Sequence, residues 1–127
     1  NLNTLPLQKA KANFKTIPFL PWQQNLERIA KNYLVINTDQ IWTLGRLQSD
    51  LAAVGTPSIG INANNQLELF PNLCIEDIKG INKGTSLAEK LINDSEFYSQ
   101  TVQYAKEQIE QNDYTNSKAR LLHLLQK

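Results

Sequence analysis

The chain has 127 residues, of which 41% are hydrophobic and 20% are charged, and its formal net charge is +1. This length predicts one domain or part of a larger one, and the composition excludes an intrinsically disordered chain. A near-neutral charge without a run of lysine and arginine argues against nucleic acid as a partner, and no apolar stretch reaches the ~20 residues that a membrane-spanning helix needs. We therefore expect a cytoplasmic protein with no transmembrane segment.

The start of the sequence gives only weak structural signals. The chain begins at Asn1 and contains no methionine, which indicates a segment of a longer protein. Residues 1–13 are mostly polar and are expected to form a poorly defined N-terminal segment. We treat residues 1–127 as a single, partial α/β domain.

The first elements after this segment alternate between strand and helix. Residues 14–20 form an apolar strand candidate, and Pro18 restricts that strand to an edge or an end of a sheet. A helix then opens at Pro21 and Trp22. Its apolar residues recur at helical spacing, at Leu26, Ile29, Ala30 and Tyr33. Residues 34–36 are a continuous β-favouring run, which predicts a strand buried on both faces.

The middle of the chain gives the clearest helix and strand signals. A helix is predicted over Leu47–Val54, because Gly55 is well suited to the position just beyond a helix C-terminus. Pro57 then precedes an apolar strand at Ser58–Ile61. A strand, a helix and a second strand in this order predict a β-α-β unit.

After residue 61 the chain is expected to be mainly helical. Two short extended segments are predicted at residues 67–70 and 74–78, with Pro71 between them. The expected helices are one capped by Thr85 or Ser86, one capped by Ser95 with Phe97, Thr101, Ala105 and Ile109 on one face, and one over Tyr114–Leu125. Short strands alternating with helices indicate an α/β fold with a Rossmann-like parallel sheet, flanking helices and a helical C-terminal tail.

The segment from Gly45 to Asp50 carries the strongest candidate chemistry. In open α/β folds, ligands bind beyond the carboxyl ends of the strands, where helix N-termini point outward. Gly45 lets backbone N–H groups approach an anion closely, and Arg46 can add a bidentate phosphate contact. Asp50 lies about one turn into the helix, where a carboxylate can accept two hydrogen bonds from a ribose diol. These residues predict a site for a nucleotide diphosphate.

A polar loop after the next strand is expected at the same edge of the sheet. It contains Asn62, Asn64, Asn65 and Gln66, and it ends at Glu68. We expect no packing role for these amides, and the loop leaves its strand at the carboxyl edge. The amides of this loop and Glu68 are therefore expected to face the same crevice as Gly45 and Asp50.

An ordinary structural interpretation of the same residues remains open. Gly45 can be a turn residue, and Arg46 and Asp50 can form a surface ion pair at i,i+4. Gly55 can be a helix C-cap and Glu68 a solvated loop residue. The density of amides and the convergence of irregular segments on one strand edge favour the ligand site.

A family resemblance adds to this interpretation. Residues 50–60 and the loop that ends at Glu68 resemble the donor-binding half of a GT-B type glycosyltransferase, whose pattern is Glu-Ala-Met-Ala, then Gly-x-Pro-Val-Ile, then a loop closing in Glu. Asp50 stands at the ribose-binding acid, and Gly55 and Pro57 match the turn. Glu68 lies at the same distance along the chain from Pro57 as the loop acid does in the family. The order of the motifs therefore matches as well as their type.

The resemblance extends over residues 14–127, and Gly45 stands where the family has a glycine near the donor phosphates. It implies a truncated half of a GT-B fold that binds a nucleotide diphosphate sugar and transfers the sugar to an unknown acceptor. It also implies no metal or other cofactor. The implied donor-binding residues are Gly45, Arg46, Asp50, Asn64, Asn65 and Glu68. We expect this segment alone to be inactive, since the family's acceptor-binding domain is not represented in it.

The sequence departs from the family pattern at three places. Trp42 stands at the family's first acid, Asp50 replaces the usual glutamate, and Asn64 and Asn65 replace a Gly-Gly pair. Asparagine adopts positive φ more readily than most other non-glycine residues, so the loop backbone can keep its shape.

Two rival functions remain open at this stage. One is a non-catalytic α/β module that binds a ligand or a partner through the asparagine loop and Trp42. The other is a structural fragment that self-associates through an exposed sheet edge. We assign no catalytic or metal-binding role to Cys74, predicted to be a small buried hydrophobe, or to His123, predicted to be a surface or packing residue.

Overall fold

The computed structural model describes residues 13, 15–39, 46–63, 65–76, 81–112 and 114–125. The elements in these ranges are, in chain order, helix α1 (Trp22–Ile29), strand β1 (Val35–Asn37), helix α2 (Leu47–Val54), strand β2 (Ser58–Ile61), the short helix α3 (Gln66–Leu69), a 3-10 turn (Pro71–Leu73), strand β3 (Cys74–Ile75) and helices α4 (Ile81–Asn93), α5 (Ser95–Gln111) and α6 (Tyr114–Leu125). None of these helices is both long enough and apolar enough to cross a membrane.

The three strands form a parallel sheet in the order β1-β2-β3. Asn37 of β1 pairs with Gly60 of β2, and Ile61 of β2 pairs with Ile75 of β3. Because all three strands run in the same direction, their carboxyl ends meet at one edge of the sheet. The expected architecture of a parallel sheet with flanking helices is therefore confirmed.

The strand register gives the two faces of the sheet different neighbours. Paired residues of adjacent strands point to the same face, and successive residues alternate between faces. Asn37, Ser58 and Gly60 therefore share one face. Ile59 points to the other face and packs against α4, where a Cβ added at Gly84 would lie 3.9 Å from Ile59 Cγ2.

Helix α5 closes the core over its neighbours. It contacts α2, α3 and α4, and Thr101 and Ala105 are its buried residues. Phe97 and Ile109 pack partly buried against the core on the same side, so the predicted apolar face of this helix is confirmed. The buried hydrophobic core consists of Ile29, Leu51, Ala52, Ile59, Leu69, Phe70, Leu73, Leu91 and Ala105.

The strongest local signals in the sequence gave correct elements. Helix α2 has the predicted bounds, and Gly55 follows it with φ 76°, the left-handed conformation in which glycine lacks the Cβ penalty. The Gly55 N–H donates to the Ala52 carbonyl oxygen at 3.2 Å, and the Thr56 N–H donates to that of Leu51 at 2.9 Å. The predictions for β2, for α6 and for a helix opening at Trp22 are confirmed too.

Two strand predictions in the first part of the chain need correction. Residues 15–20 form no strand, and Phe19 in this stretch is 100% exposed, while Phe14 lies outside the described residues. The next strand is β1, one residue later than predicted, and it is not buried on both faces because Ile36 is 62% exposed. In the described sheet β1 is an edge strand.

The segment after β2 also differs from its prediction. Residues 66–69 form helix α3 instead of an extended piece, because the Phe70 N–H donates to the Gln66 carbonyl oxygen at 2.8 Å. The strand predicted over residues 74–78 is observed only as Cys74–Ile75. Residues 77–80 lie outside the described part of the chain.

The helix starts predicted near residues 85 and 95 are wrong in detail. Helix α4 begins at Ile81, so Thr85 and Ser86 lie inside it, and Ser86 Oγ donates to the Asn82 carbonyl oxygen at 3.1 Å. The N-cap of α5 is Asp94 and not Ser95. Its Oδ1 accepts the Phe97 N–H at 2.9 Å.

Tyr33 was predicted to continue the first helix, but α1 ends at Ile29. Tyr33 instead joins α1 to the C-terminal helices: its hydroxyl donates to the Leu91 carbonyl oxygen at 2.9 Å. Its ring packs against that of Tyr98, with centroids 4.6 Å apart. At Tyr33 the chain therefore makes these two tertiary contacts instead of continuing the helix.

Candidate functional site

The N-terminus of α2 lies at the carboxyl edge of the sheet, as a β-α-β connection between parallel strands requires. Arg46 is the residue just before this helix, and no side chain caps the helix N-terminus. The N–H groups of the first turn have no intrahelical acceptor, and the helix dipole makes this end partially positive. The N-terminus of α2 therefore offers an anion a partial positive charge and N–H donors.

Arg46 and Asp50 lie next to each other on this turn. Arg46 Nη2 is 3.9 Å from Asp50 Oδ1, and the side chains are 72% and 15% exposed respectively. The guanidinium also lies over the ring of Trp22, with its Cζ 5.6 Å from the ring centroid. A single long contact of an exposed arginine contributes only about 0.3–0.5 kcal/mol, so Arg46 can exchange this partner for an anionic ligand at little cost.

Asn65 and Glu68 have a different environment. They line a cleft of about 360 Å³ between α2, α3 and the end of α5, together with Ser49, Leu69, Ile109 and Asn112. Asn65 has φ 65°, the left-handed conformation that the sequence allowed for this residue. Glu68 Oε1 accepts a hydrogen bond of 3.1 Å from Asn112 Nδ2.

The electrostatics of this cleft favour hydroxyl groups over phosphate. Glu68 carries a negative charge, and the C-terminal carbonyl groups of α5 add a partial negative charge beside Asn112. A phosphate placed here would meet both. Hydroxyl groups, in contrast, can donate to the carboxylate of Glu68.

The predicted site residues therefore fall into two groups around α2. Arg46 and Asp50 share one turn of the helix beside Trp22, whereas Asn65 and Glu68 lie in the cleft beside α5. Ser49, the neighbour of Asp50 in sequence, lines that cleft and connects the two groups along the helix. Predicted site residues Gly45 and Asn64 lie outside the described residues, as does Trp42.

Gln66 corrects the prediction that the loop amides have no packing role. Its side chain is fully buried, and its Nε2 donates to the Ser58 carbonyl oxygen at 2.6 Å. Its Oε1 accepts a longer hydrogen bond of 3.4 Å from Gln48 Nε2. The formation of α3 turns this amide inward against β2, so Gln66 is a structural residue.

Asn37 and Gly60 extend this buried polar region to the end of β1. Asn37 Oδ1 accepts the Asp39 N–H at 3.1 Å. A Cβ added at Gly60 would lie 3.1 Å from the Asn37 carbonyl oxygen, 3.2 Å from Asn37 Cβ and 3.4 Å from Gln66 Oε1. A side chain at this position would therefore press tightly against Asn37 and Gln66.

We call Asn37, Gln48, Ser58 and Gln66 the buried polar cluster. Three of its side-chain atoms are buried and have no hydrogen-bond partner in the described structure: Asn37 Nδ2, Gln48 Oε1 and Ser58 Oγ.

From the sequence, the loop over residues 37–45 is expected at this edge, but no site role is assigned to Trp22, Asn37 or Gln48. Asn37 had a usable signal, since a polar residue directly after an apolar strand lies at the carboxyl edge. Gln48 shares the buried face of α2 with Leu51 and Ala52, at helical spacing. Trp22 could not be found from local sequence, because its contact with Arg46 joins two separate helices.

The thiol of Cys74 has a perturbed ionisation but lies outside this region. Burial raises the pKa of the Cys74 thiol, and the charge of nearby Lys83 opposes that rise in part. The thiol is therefore less readily ionised than a free cysteine. Within the described residues, no group of three histidine, cysteine, aspartate or glutamate side chains is arranged to hold a metal ion.

Comparisons with family models, with curated proteins and with solved structures gave no match to this chain. The geometry of the sheet edge and the sequence resemblance therefore carry the function proposed below.

Proposed function

We propose that this chain is the nucleotide-sugar binding part of a GT-B type glycosyltransferase. The observation that supports this most strongly is the start of α2. It is a helix N-terminus with no side-chain cap, at the carboxyl edge of a parallel sheet, with an exposed arginine and a carboxylate in its first turn. An anion binds favourably at such a terminus, and the carboxylate can hold a diol beside it.

The proposed roles follow from these positions. Arg46 and the first turn of α2 bind the diphosphate, with Gly45 as a further predicted contact. Asp50 binds the ribose. Asn65 and Glu68 bind hydroxyl groups of the sugar in their cleft, with Asn64 predicted beside them. Backbone N–H groups and Arg46 would also stabilise the diphosphate as it leaves, which is electrostatic catalysis that needs no metal.

The proposed donor site also implies a substrate, an acceptor and a cellular compartment. The donor is a nucleotide diphosphate sugar, the acceptor is unidentified, and the cytoplasm is the expected compartment. In this proposal the acceptor is held by a part of the enzyme outside these 127 residues. We expect the 127-residue chain to bind donor without transferring sugar.

An Asp50→Ala variant tests the assignment at the ribose. Calorimetric titration with UDP, GDP and ADP is expected to show binding of one nucleotide to the unaltered chain. The variant should lose at least about tenfold in affinity, equal to about 1.4 kcal/mol. Its melting temperature should stay nearly unchanged, because Asp50 makes one long ion-pair contact. The control is Glu89→Ala, an exposed acid on α4. An affinity of Asp50→Ala within about twofold of the unaltered chain contradicts the assignment.

A second candidate function, a non-catalytic interaction module, is supported by the exposed apolar surface. Ile36 projects from β1, an edge strand of the described sheet, and such edges invite pairing with another chain. Helix α6 also exposes Leu121, Leu122, Leu124 and Leu125. Sedimentation velocity over a range of concentrations tests this candidate. Self-association that Ile36→Lys abolishes, together with no nucleotide binding, would favour the module over the donor site.

A further inference from the structure

A hydrogen bond between Asn112 and Glu68 joins two walls of the cleft beside α5. Asn112 Nδ2 donates to Glu68 Oε1 at 3.1 Å, although the two residues are 44 positions apart in the chain. Asn112 directly follows α5, where its N–H donates to the Ile109 carbonyl oxygen at 3.1 Å and its own carbonyl oxygen accepts from Ser117 Oγ at 3.3 Å. The backbone of Asn112 is thus held on both sides, and its side chain can fix the direction of the Glu68 carboxylate.

The side chains that line this cleft offer more acceptors than donors. Because Asn112 Nδ2 is the donor of that bond, the other amide atom, Oδ1, is an acceptor. The Glu68 carboxylate can accept about four hydrogen bonds, and Asn112 supplies one of them. The hydroxyl of Ser49 and the amide of Asn65, which also line the cleft, can each donate and accept. A ligand that fits these groups must therefore offer several donors.

The charge of the cleft restricts that ligand further. Glu68 carries a negative charge, the carbonyl groups at the C-terminus of α5 add a partial one, and none of the described lining residues is basic. An anionic group would be repelled here. Leu69 and Ile109 form the apolar part of the lining. A neutral sugar, which has hydroxyl donors and apolar C–H groups, matches both parts of the cleft.

Ser49 places this cleft next to the proposed diphosphate site. Its side chain lines the cleft, and it is the third residue of α2, so its N–H belongs to the uncapped first turn. The Asp50 N–H already donates to the Arg46 carbonyl oxygen at 2.8 Å, so Ser49 is the last residue of that turn whose N–H lacks an intrahelical acceptor. A diphosphate on the first turn and a sugar in the cleft would therefore be adjacent parts of one ligand.

We propose that Asn112 is a positioning residue that directs the Glu68 carboxylate toward the hydroxyl groups of a neutral donor sugar. This role rests on the proposed function, and it adds to it the class of sugar and a residue to which no role is assigned from the sequence. Asn112 acts through Glu68 and need not touch the ligand. The charge of Glu68 excludes sugars that carry a carboxylate, such as glucuronic acid.

Asn112→Ala tests this role by calorimetric titration of the full chain. The ligands are UDP, GDP and ADP, each paired with a neutral sugar conjugate of the same base: UDP-glucose, GDP-mannose and ADP-glucose. For the base that binds, the variant should weaken binding of the sugar conjugate about fivefold or more and that of the free nucleotide by less than about twofold. Asn93→Ala is the matched control and should change neither affinity, because Asn93 is an exposed asparagine at the end of α4 that donates to the Glu89 carbonyl oxygen at 2.8 Å.

Three results of these titrations would overturn the role of Asn112. Equal losses for the nucleotide and its sugar conjugate would show that Asn112 only supports the fold. No loss for either would show that it does not position Glu68. A nucleotide that binds while its neutral sugar conjugate does not would exclude this class of sugar from the cleft.

Glu68→Gln tests the exclusion of anionic sugars. The uronate conjugate of the base that binds, for example UDP-glucuronate beside UDP-glucose, should bind the unaltered chain at least about tenfold more weakly than the neutral conjugate. Glu68→Gln should reduce that difference to about threefold or less, because it removes the charge and keeps the shape. A uronate conjugate that binds the unaltered chain as tightly as the neutral one overturns the sugar class. If no nucleotide binds at all, the proposed function fails and this role fails with it, whereas a bound nucleotide without these differences overturns this role alone.

Discussion

Gln66 Nε2 donates a hydrogen bond of 2.6 Å to the carbonyl oxygen of Ser58, and this contact joins helix α3 to strand β2. The bond folds the chain back onto the strand that it has just left. Asn65 and Glu68 flank Gln66, so their positions in the cleft beside α5 depend on this buried amide. The stability of the sheet edge and the geometry of the proposed sugar contacts therefore both depend on Gln66.

The first prediction concerns Gln66→Leu. The variant leaves the Ser58 carbonyl oxygen and the Gln48 amide without their partner, and each orphaned buried group costs about 1–3 kcal/mol. We expect a loss of at least about 2 kcal/mol in the free energy of unfolding, measured by urea denaturation. Gln103→Leu, at an exposed glutamine of α5, should change it by no more than about 0.5 kcal/mol. Equal effects of the two substitutions would show that the buried amide is not structural.

The second prediction compares two glycines. Gly55 has φ 76°, and a Cβ there would lie 3.0 Å from Lys106 Cε, so Gly55→Ala should destabilise the fold by about 1–2 kcal/mol. Gly84 lies inside α4, and its added Cβ would make an ordinary contact with Ile59. Gly84→Ala should therefore stabilise the fold by about 0.5–1 kcal/mol. Chemical denaturation of both variants measures the change in the free energy of unfolding, which should be negative for Gly55→Ala and positive for Gly84→Ala. Changes of the same sign would contradict this account of the α2 C-terminus.

The third prediction tests the corrected start of α5. Asp94→Ala removes the carboxylate that accepts the Phe97 N–H, and it should cost about 1 kcal/mol of unfolding free energy. Ser95→Ala should change that free energy by no more than about 0.5 kcal/mol, because Ser95 is exposed in the first turn. A larger effect at Ser95 than at Asp94 would restore the cap predicted from the sequence.

The fourth prediction is a pH dependence from Tyr98. Burial, and secondarily the neighbouring Tyr33, raise the pKa of the Tyr98 phenol above its ordinary value of about 10. The unfolded chain therefore loses this proton first. The contribution to stability is complete below about pH 10 and is lost as the pH rises through the higher folded-state pKa.

Denaturation midpoints measured from about pH 8 to about pH 11 check this sign, with Tyr98→Phe as the comparison. The variant should show a shallower loss of stability in the alkaline range. At the lower pH it should differ by less than about 1 kcal/mol, since it loses only the 3.1 Å hydrogen bond to the Tyr33 carbonyl oxygen. A parallel decline of the two proteins would exclude Tyr98 as the cause.

The accuracy of the sequence predictions depended on how local each signal was. Helix α2 was predicted with the correct bounds because Gly55 marks its end within the chain itself. Asp94 was missed as a cap in favour of Ser95, its neighbour, since both residue types occupy N-caps. Helix α3 was missed because a buried contact between Gln66 and Ser58 stabilises it, and that contact is invisible in local periodicity.

In the candidate site, too, local contacts could be predicted from the sequence and tertiary contacts could not. The Arg46–Asp50 pair could be expected from its i,i+4 spacing, and the structure contains it. The contact of Arg46 with Trp22 joins α1 to α2, and the buried polar cluster joins residues of two strands and two helices. Such contacts depend on tertiary packing, so neither composition nor periodicity predicts them.

The most direct test of the donor-site proposal is a ¹⁵N-amide NMR titration of the full chain with UDP, GDP and ADP in parallel. We predict shifts with one of the nucleotides, confined to residues 45–50 and 62–68. That result would locate the donor site and identify its base. A well-dispersed spectrum that does not change with any of the three nucleotides would contradict a donor site in this chain.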